Sequence, residues 1–82
     1  MPIRPPSRRV IEQINKFNIK KKFQKQKLLF EVNPSHPGLN TEKLEPKSVG
    51  LYSFRIDKKF RAIFRIRGGF AEILHITKHY QK

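Results

Sequence analysis

In residues 51–77, LYSFRIDKKFRAIFRIRGGFAEILHIT, apolar and polar side chains alternate, and this alternation indicates the fold class of the chain. Successive side chains of a β-strand point to opposite faces of a sheet, so a period of two predicts half-buried strands. One strand is predicted over residues 51–56 and a second over residues 60–67, with Asp57 opening the turn between them. The side chains that alternate with the arginines are expected to face the core: Tyr52, Phe54, Ile56, Phe60, Ala62, Phe64 and Ile66.

The Gly68-Gly69 pair is typical of a two-residue β-hairpin turn, so residues 70–77 are predicted to form a third, antiparallel strand. A turn of two residues pairs Arg67 with Phe70. Counting along the strands from that pair predicts three more: Arg65 with Glu72 as an ion pair, Arg61 with Ile76, and Ala62 with His75. In this register His75 lies on the face opposite to that of Arg61.

Two helices are predicted before the strands. Ser7 is a suitable N-cap for a helix that begins near Arg8, and its apolar positions recur at helical spacing: Val10, Ile14 and Phe17. Asn18 is a plausible break, and a second helix follows over residues 19–31. Its lysines are interpreted as a solvated helix face in preference to a dedicated binding site.

The remaining segments are rich in proline. Prolines after residue 33 end the helical part, and a short strand is predicted at residues 42–44. Three prolines near the start allow at most a short edge strand over residues 1–4. The sequence therefore predicts an α+β fold, in which an N-terminal helical hairpin packs on a small antiparallel β-sheet.

The composition restricts the class of protein. The chain has 82 residues with 19 Lys and Arg against 6 Asp and Glu, a net charge of +13, and no cysteine. This length allows one domain, residues 1–82, and excludes a large dinucleotide-binding or barrel enzyme. The absence of cysteine excludes disulfides and thiolate metal sites. With 37% hydrophobic residues and 7 phenylalanines the chain can still form a core.

The excess of positive charge indicates a polyanionic partner: nucleic acid, an acidic protein or an anionic membrane surface. Nucleic acid is favoured on charge alone. The sequence contains no apolar run of the roughly 18 residues that a membrane span requires, and its basic start has no apolar signal core. We therefore expect a protein of the cytoplasm that does not enter a membrane.

Few residues suggest chemistry. The three histidines are scattered without metal-ligand spacing, the glycines form no phosphate-binding loop, and no serine lies in a nucleophile elbow, so neither a metal nor a cofactor is expected. Four arginines lie on the non-core side of the strands and together would suit contact with phosphates: Arg55, Arg61, Arg65 and Arg67. Each of them alone is more simply explained as a solubilising residue. Near the end of the chain, Lys78 is followed by an imidazole and a phenol in His79 and Tyr80.

The chain resembles the RelE/ParE superfamily of toxins, and within it the branch of RelE and YoeB. The resemblance is carried by NPSHPGL at residues 33–39, EKL at 42–44, GLYSFRI at 50–56, FRAIF at 60–64 and the terminal HY at 79–80. It implies the toxin of a type II toxin–antitoxin system that cleaves messenger RNA in the ribosomal A site. The implied partners are a cognate antitoxin, the ribosome and messenger RNA, while the oligomeric state stays open.

The resemblance also implies roles for particular residues. Glu42 matches the general base of YoeB-like toxins, and Arg61 matches the arginine that stabilises the scissile phosphate. His79 matches the acid that protonates the leaving oxygen, and Tyr80 matches the residue that stacks on or orients a base. The residues expected to bind RNA are Arg55, Lys58, Lys59, Arg65, Arg67 and Lys78.

The chain departs from the family in three places. It lacks a clear first strand, Ser53 stands where RelE has lysine, and Phe64 replaces the usual tyrosine; the last two favour a mechanism of the YoeB type over one of the RelE type. Three alternatives remain open: a ParE-like inhibitor of DNA gyrase, a non-catalytic nucleic-acid-binding domain, and a degenerate toxin fold without activity.

Overall fold

The structure is a computed structural model that describes residues 1–78, so His79 and Tyr80 lie outside the described residues. Short 3₁₀ helices at Pro37–Leu39 and Lys47–Val49 flank the first strand. The longer elements, in chain order, are α1 Arg8–Lys16, α2 Lys20–Val32, β1 Glu42–Lys43, β2 Leu51–Arg55, β3 Phe60–Arg67 and β4 Phe70–Lys78. Within the described part of the chain, no helix is long and apolar enough to cross a membrane.

The first helix begins and ends as the sequence predicts. The Ser7 hydroxyl accepts a hydrogen bond from the Val10 amide at 3.3 Å, which satisfies one of the free N–H groups at the start of α1. Val10 and Ile14 are buried. Asn18 separates α1 from α2 with a φ of +56°, a left-handed conformation that asparagine adopts more readily than most residues.

The second helix joins the two layers. Phe30 packs against Phe54 and Phe64 of the sheet, with both ring centroid separations at 5.1 Å. Gln26 is buried beside it, and its Nε2 donates to the carbonyls of Gly38 and Arg55 at 3.1 and 2.8 Å. One buried amide therefore ties α2 to the loop before β1 and to the end of β2.

The four strands form one antiparallel sheet in the order β1-β2-β3-β4, and the helices cover one of its faces. The predicted α+β fold is confirmed. We call the opposite face, which alternation assigns to residues such as Ser53, Arg61 and Arg65, the outer face. At the β4 edge, Ile3 forms a parallel bridge with Ala71, held by two backbone hydrogen bonds of 2.9 Å. The start of the chain therefore forms a single bridge and does not extend into a strand. Proline has no N–H to donate, so the prolines around Ile3 cannot continue the ladder of hydrogen bonds.

The hairpin turn sets the register near it. Gly68 and Gly69 have φ values of +59° and +80°, which a two-residue turn of this type requires and which favour glycine. Arg67 pairs with Phe70 as predicted, and the Arg65 Nη2 lies 2.7 Å from Oε1 of Glu72 in the predicted ion pair.

Farther from the turn the predicted register is wrong by one residue. The pairing shifts between Ile63 and Phe64, where Leu74 is an extra residue in β4. Arg61 therefore lies opposite Thr77 and not Ile76, and His75 lies opposite Ile63 and not Ala62.

The core explains this β-bulge. Ile73 and Ile76 are three residues apart, and both are buried against the helices, with 5% and 3% of their surfaces exposed. Strict alternation would turn one of them to the outer face; one unpaired residue lets both face the core. The same shift moves His75 from the core face to the outer face.

The turn between β2 and β3 is organised by Asp57. Its Oδ1 accepts hydrogen bonds from the amides of Lys59 and Phe60 at 2.8 Å each, and its Oδ2 lies 3.1 Å from Nζ of Lys22 on α2. Partial burial raises the pKa of Asp57, but the two amides and the Lys22 ammonium outweigh it, and the pKa lies below its ordinary value of 3.8.

A depressed pKa makes the contribution of Asp57 to stability depend on pH. The contribution is present above the ordinary pKa of the unfolded chain and is lost as the pH falls through the lower pKa of the folded state. We expect Asp57→Asn to lower the free energy of unfolding at pH 7 by about 1 kcal/mol and to flatten its fall between pH 5 and 2. Urea unfolding across this range measures both effects. Glu12→Gln, which breaks only an exposed pair with Arg8, is the matched control, and an acid slope unchanged in Asp57→Asn would contradict the assignment.

Candidate active site on the outer face of the sheet

The register brings residues from all four strands into one row on the outer face. Glu42 of β1 pairs with Ser53, Ser53 pairs with Ile63, and Ile63 pairs with His75 of β4. Directly opposite residues of neighbouring strands point to the same face. A carboxylate, a hydroxyl and an imidazole therefore lie along one line, and Arg61 lies beside that line.

Arg61 is buried, with 4% of its surface exposed. Its Nε donates to the Ser53 Oγ at 3.0 Å, and its Nη2 donates to the backbone carbonyl of Asn40 at 2.6 Å. Asn40 has a φ of +44° at the end of the 3₁₀ helix Pro37–Leu39, and this left-handed turn directs the carbonyl to the guanidinium. The simpler interpretation of Arg61 as a solubilising residue is therefore wrong.

The hydrogen bonds of Arg61 leave part of its guanidinium available. Arginine has five N–H donors, and the contacts with Ser53 and Asn40 use Nε and Nη2. Within residues 1–78, Nη1 makes no hydrogen bond. An anion would therefore approach a guanidinium whose plane is already fixed by the protein.

Burial lowers the pKa of Arg61, the charge of Glu42 raises it, and the charge of Arg55 lowers it again, with a net shift downward. Arginine stays protonated in proteins despite such shifts. The site therefore holds a permanent positive charge in a partly desolvated position, where electrostatic attraction to an anion is stronger than in water.

Glu42 lies in the two-residue strand β1 and is exposed. In the described part of the chain its carboxylate takes part in no ion pair within 4.0 Å. The structure therefore brings two of the predicted catalytic residues, Glu42 and Arg61, to the same face and leaves the carboxylate accessible. The other two, His79 and Tyr80, follow the last described residue of β4, and their roles stay predictions.

The residues predicted to bind RNA divide into two groups. Arg55, Arg65 and Arg67 share the outer face: Arg55 lies opposite Arg61, Arg65 is paired with Glu72, and Arg67 is exposed beside the hairpin turn.

The three lysines lie elsewhere. Lys58 and Lys59 are exposed in the β2–β3 turn, where they line a groove of about 500 Å³ together with Lys22. Lys78 pairs with Phe60, a core residue, and therefore belongs to the helix-covered side of the sheet.

Sequence reasoning missed two features of this site. It assigned His75 to the wrong face, although the spacing of three between Ile73 and Ile76 is a signal that alternation fails there. It also missed the Asn40 carbonyl, because a backbone contact between residues 21 apart leaves no trace in the pattern of side chains. Among residues 1–78, no cluster of three or more His, Cys, Asp or Glu side chains could hold a metal ion.

A helical hairpin on one face of a four-stranded antiparallel sheet, with a fixed arginine on the other face, defines a small basic α+β protein whose open face suits phosphate groups. No family model matches the chain, and no curated protein matches its sequence. Solved structures do match, and the chain has the fold of YoeB and YoeB/ParE toxins.

Three solved structures illustrate the likeness. The YoeB/ParE toxin from Agrobacterium tumefaciens has a TM-score of 0.74 and 17% identity over 98% of this chain and 100% of that chain. The YoeB dimer from Staphylococcus aureus has a TM-score of 0.71 and 23% identity over 98% of each chain. The YoeB–YefM complex from S. aureus has a TM-score of 0.67 and 24% identity over 90% of this chain and 92% of that chain. These likenesses confirm the fold implied by the resemblance to RelE/ParE toxins.

Proposed function

We propose that this protein is the toxin of a type II toxin–antitoxin system and that it cleaves messenger RNA on the ribosome without a metal ion. The observation that carries the proposal is the buried, doubly anchored Arg61 beside the accessible carboxylate of Glu42, on a fold shared with YoeB structures. An arginine that only keeps the surface soluble would need neither burial nor two hydrogen bonds that fix its guanidinium.

The chemistry follows from the residues. Glu42 takes the proton of a ribose 2′-hydroxyl, and the 2′-oxygen attacks the adjacent phosphorus. Nη1 of Arg61 donates to a non-bridging oxygen and stabilises the negative charge of the five-coordinate phosphorus. The bond from phosphorus to the 5′-oxygen then breaks, and His79 protonates that oxygen. The products are a 2′,3′-cyclic phosphate and a free 5′-hydroxyl.

Alignment of the RNA with the catalytic residues has to supply much of the rate enhancement of cleavage. A general acid or base contributes about 10²–10⁴-fold, and alignment of the reacting groups contributes more. The candidate site lies on an open sheet face, which does not enclose an RNA strand. We therefore expect slow cleavage of naked RNA and fast cleavage when the ribosome holds the messenger RNA in place.

We propose an antitoxin protein as the partner that controls this activity, and the cytoplasm as its location. The S. aureus YoeB structures with YefM, one of them described as a toxin–antitoxin complex, support the antitoxin partner. A net charge of +13 favours an antitoxin with an acidic segment, and charge complementarity of this kind raises the association rate. Association should therefore slow as the salt concentration rises.

Induced expression in a bacterial host without an antitoxin tests the function. We expect arrested growth, a fall in amino-acid incorporation, and new 5′ ends in messenger RNA by primer extension. Glu42→Gln, which keeps shape and removes the base, is the matched control and should relieve the arrest. Normal translation with a loss of DNA supercoiling would instead support the gyrase inhibitor, and RNA binding without cleavage products would support a non-catalytic domain.

The lysines of the β2–β3 turn should contribute to binding of RNA without contributing to the chemistry. Each lysine that contacts a phosphate adds about 0.7–0.9 to the slope of log affinity against log salt concentration. We expect Lys58→Gln/Lys59→Gln to lower that slope by about 1.5 for ribosome binding, with an unchanged rate of cleavage at saturation.

The matched control for that double variant is Arg9→Gln/Lys47→Gln, which removes the same charge from exposed positions on α1 and the second 3₁₀ helix. Its slope should stay near that of the unmodified protein. Equal slopes for the two double variants would show that only net charge matters.

A further inference from the structure

We propose that His75 is a further residue of this site that touches the substrate, and that its imidazolium donates a hydrogen bond to the phosphate held by Arg61. This inference rests on the proposed function, because that function identifies the substrate as RNA. It does not rest on the catalytic role of His79.

The first argument is the β-bulge at Leu74. In the register continued from the hairpin turn, His75 would lie opposite Ala62, which is fully buried in the core. The extra residue turns His75 to the outer face opposite Ile63. Bulges are concentrated next to active sites, where they redirect single side chains. Here the redirected side chain is the only histidine in the described strands.

The second argument is position. Arg61 pairs with Thr77, two residues beyond His75 on the same strand, so His75 and Arg61 are diagonal neighbours on one face. Such neighbours are about 7–8 Å apart at Cβ, which leaves room for one phosphate between an imidazole and a guanidinium. His75 is half-buried, and within residues 1–78 its side chain makes no hydrogen bond.

The third argument is charge. The charged residues of the outer face, from β1 to β4, are Glu42, Arg55, Arg61, Arg65, Arg67 and Glu72, and Arg4 of the N-terminal segment lies over the Phe70 ring beside β4. Glu72 is paired with Arg65, and Glu42 on β1 is separated from His75 on β4 by two intervening strands. A protonated His75 beside Arg61 therefore lacks a neighbouring anion, and a phosphate would supply one. Binding of the phosphate and protonation of His75 should favour each other.

The test uses the full chain and a single-stranded DNA hexanucleotide, which has no 2′-hydroxyl and therefore cannot be cleaved by 2′-hydroxyl attack. We expect its affinity to fall about tenfold between pH 6 and pH 8, the range in which histidine side chains in general lose their charge. In the His79→Gln background, which removes the other histidine proposed for this site, His75→Gln keeps a donor but does not titrate in this range, and its affinity should be independent of pH. His75→Leu should bind weakly throughout, and ¹³C-labelled histidine should show His75 moving toward the protonated form on binding.

His36→Gln is the matched control, and His79→Gln shows how much of the pH dependence comes from the other histidine proposed for this site. His36 is exposed before the first 3₁₀ helix, where its Nδ1 accepts from the Gly38 amide, and His36→Gln should keep the pH dependence. If the dependence disappears in His79→Gln and persists in His75→Gln, or if no binding is detected at pH 6, the proposal is wrong.

The two proposals can fail separately. If the unmodified protein cleaves messenger RNA but His75→Gln binds with unchanged affinity and pH dependence, the role of His75 is wrong and the proposed function stands. If no cleavage occurs while pH-dependent binding requires His75, the phosphate contact stands and the cleavage reaction is wrong.

Discussion

Replacement of Arg61 by glutamine is expected to reduce the cleavage of messenger RNA about 10²–10³-fold, which is the usual effect of removing one fixed donor from a developing negative charge. The same change should lower the free energy of unfolding by about 2 kcal/mol, because the Asn40 carbonyl and the Ser53 hydroxyl lose a buried, charged partner. Urea unfolding and primer extension on the same variant measure the two effects.

Arg61→Lys separates the structural effect from the chemical one. Lysine keeps the positive charge but has no planar fork, so it cannot contact Ser53, Asn40 and a phosphate at once. We expect the stability to recover in part and the cleavage to stay low. Arg9→Gln, on the exposed surface of α1, is the control for general loss of charge. Cleavage by Arg61→Gln at the rate of the unmodified protein would show that Arg61 has only a structural role.

Replacement of His79 by glutamine is expected to abolish detectable cleavage while the fold and ribosome binding are retained. The expected loss is about 10²–10⁴-fold, the contribution of a general acid to the departure of a poor leaving group. Primer extension in cells that make the variant measures cleavage, and co-sedimentation with ribosomes measures binding. Cleavage at the unmodified rate would remove His79 from the mechanism.

Tyr80→Ala is the matched comparison, since it changes the neighbouring residue without removing a proton donor for the leaving oxygen. Stacking on a base contributes about 1–3 kcal/mol, so this variant should retain more cleavage than His79→Gln. The reverse order would indicate that placement of the base, and not proton transfer, limits the reaction.

Several parts of the fold could be predicted because short-range chemistry decides them. Ser7 caps α1 through a hydrogen bond across three residues, and Asn18 ends the helical segment with a left-handed backbone. Alternation defined β2 and β3, and two glycines set the pairing of Arg65 with Glu72. Each of these features depends on residues within one turn of helix or one hairpin, so the sequence is sufficient to predict it.

The arrangement of the candidate site depends on contacts between distant residues. The position of His75 follows from the bulge at Leu74, which exists because Ile73 and Ile76 both pack against the helices. The burial of Arg61 follows from a carbonyl 21 residues away, on a loop held against the sheet by Gln26. Side-chain alternation records which strand residues share a face only while the register is regular. Packing between the layers can change that register, and it determines which charged groups meet.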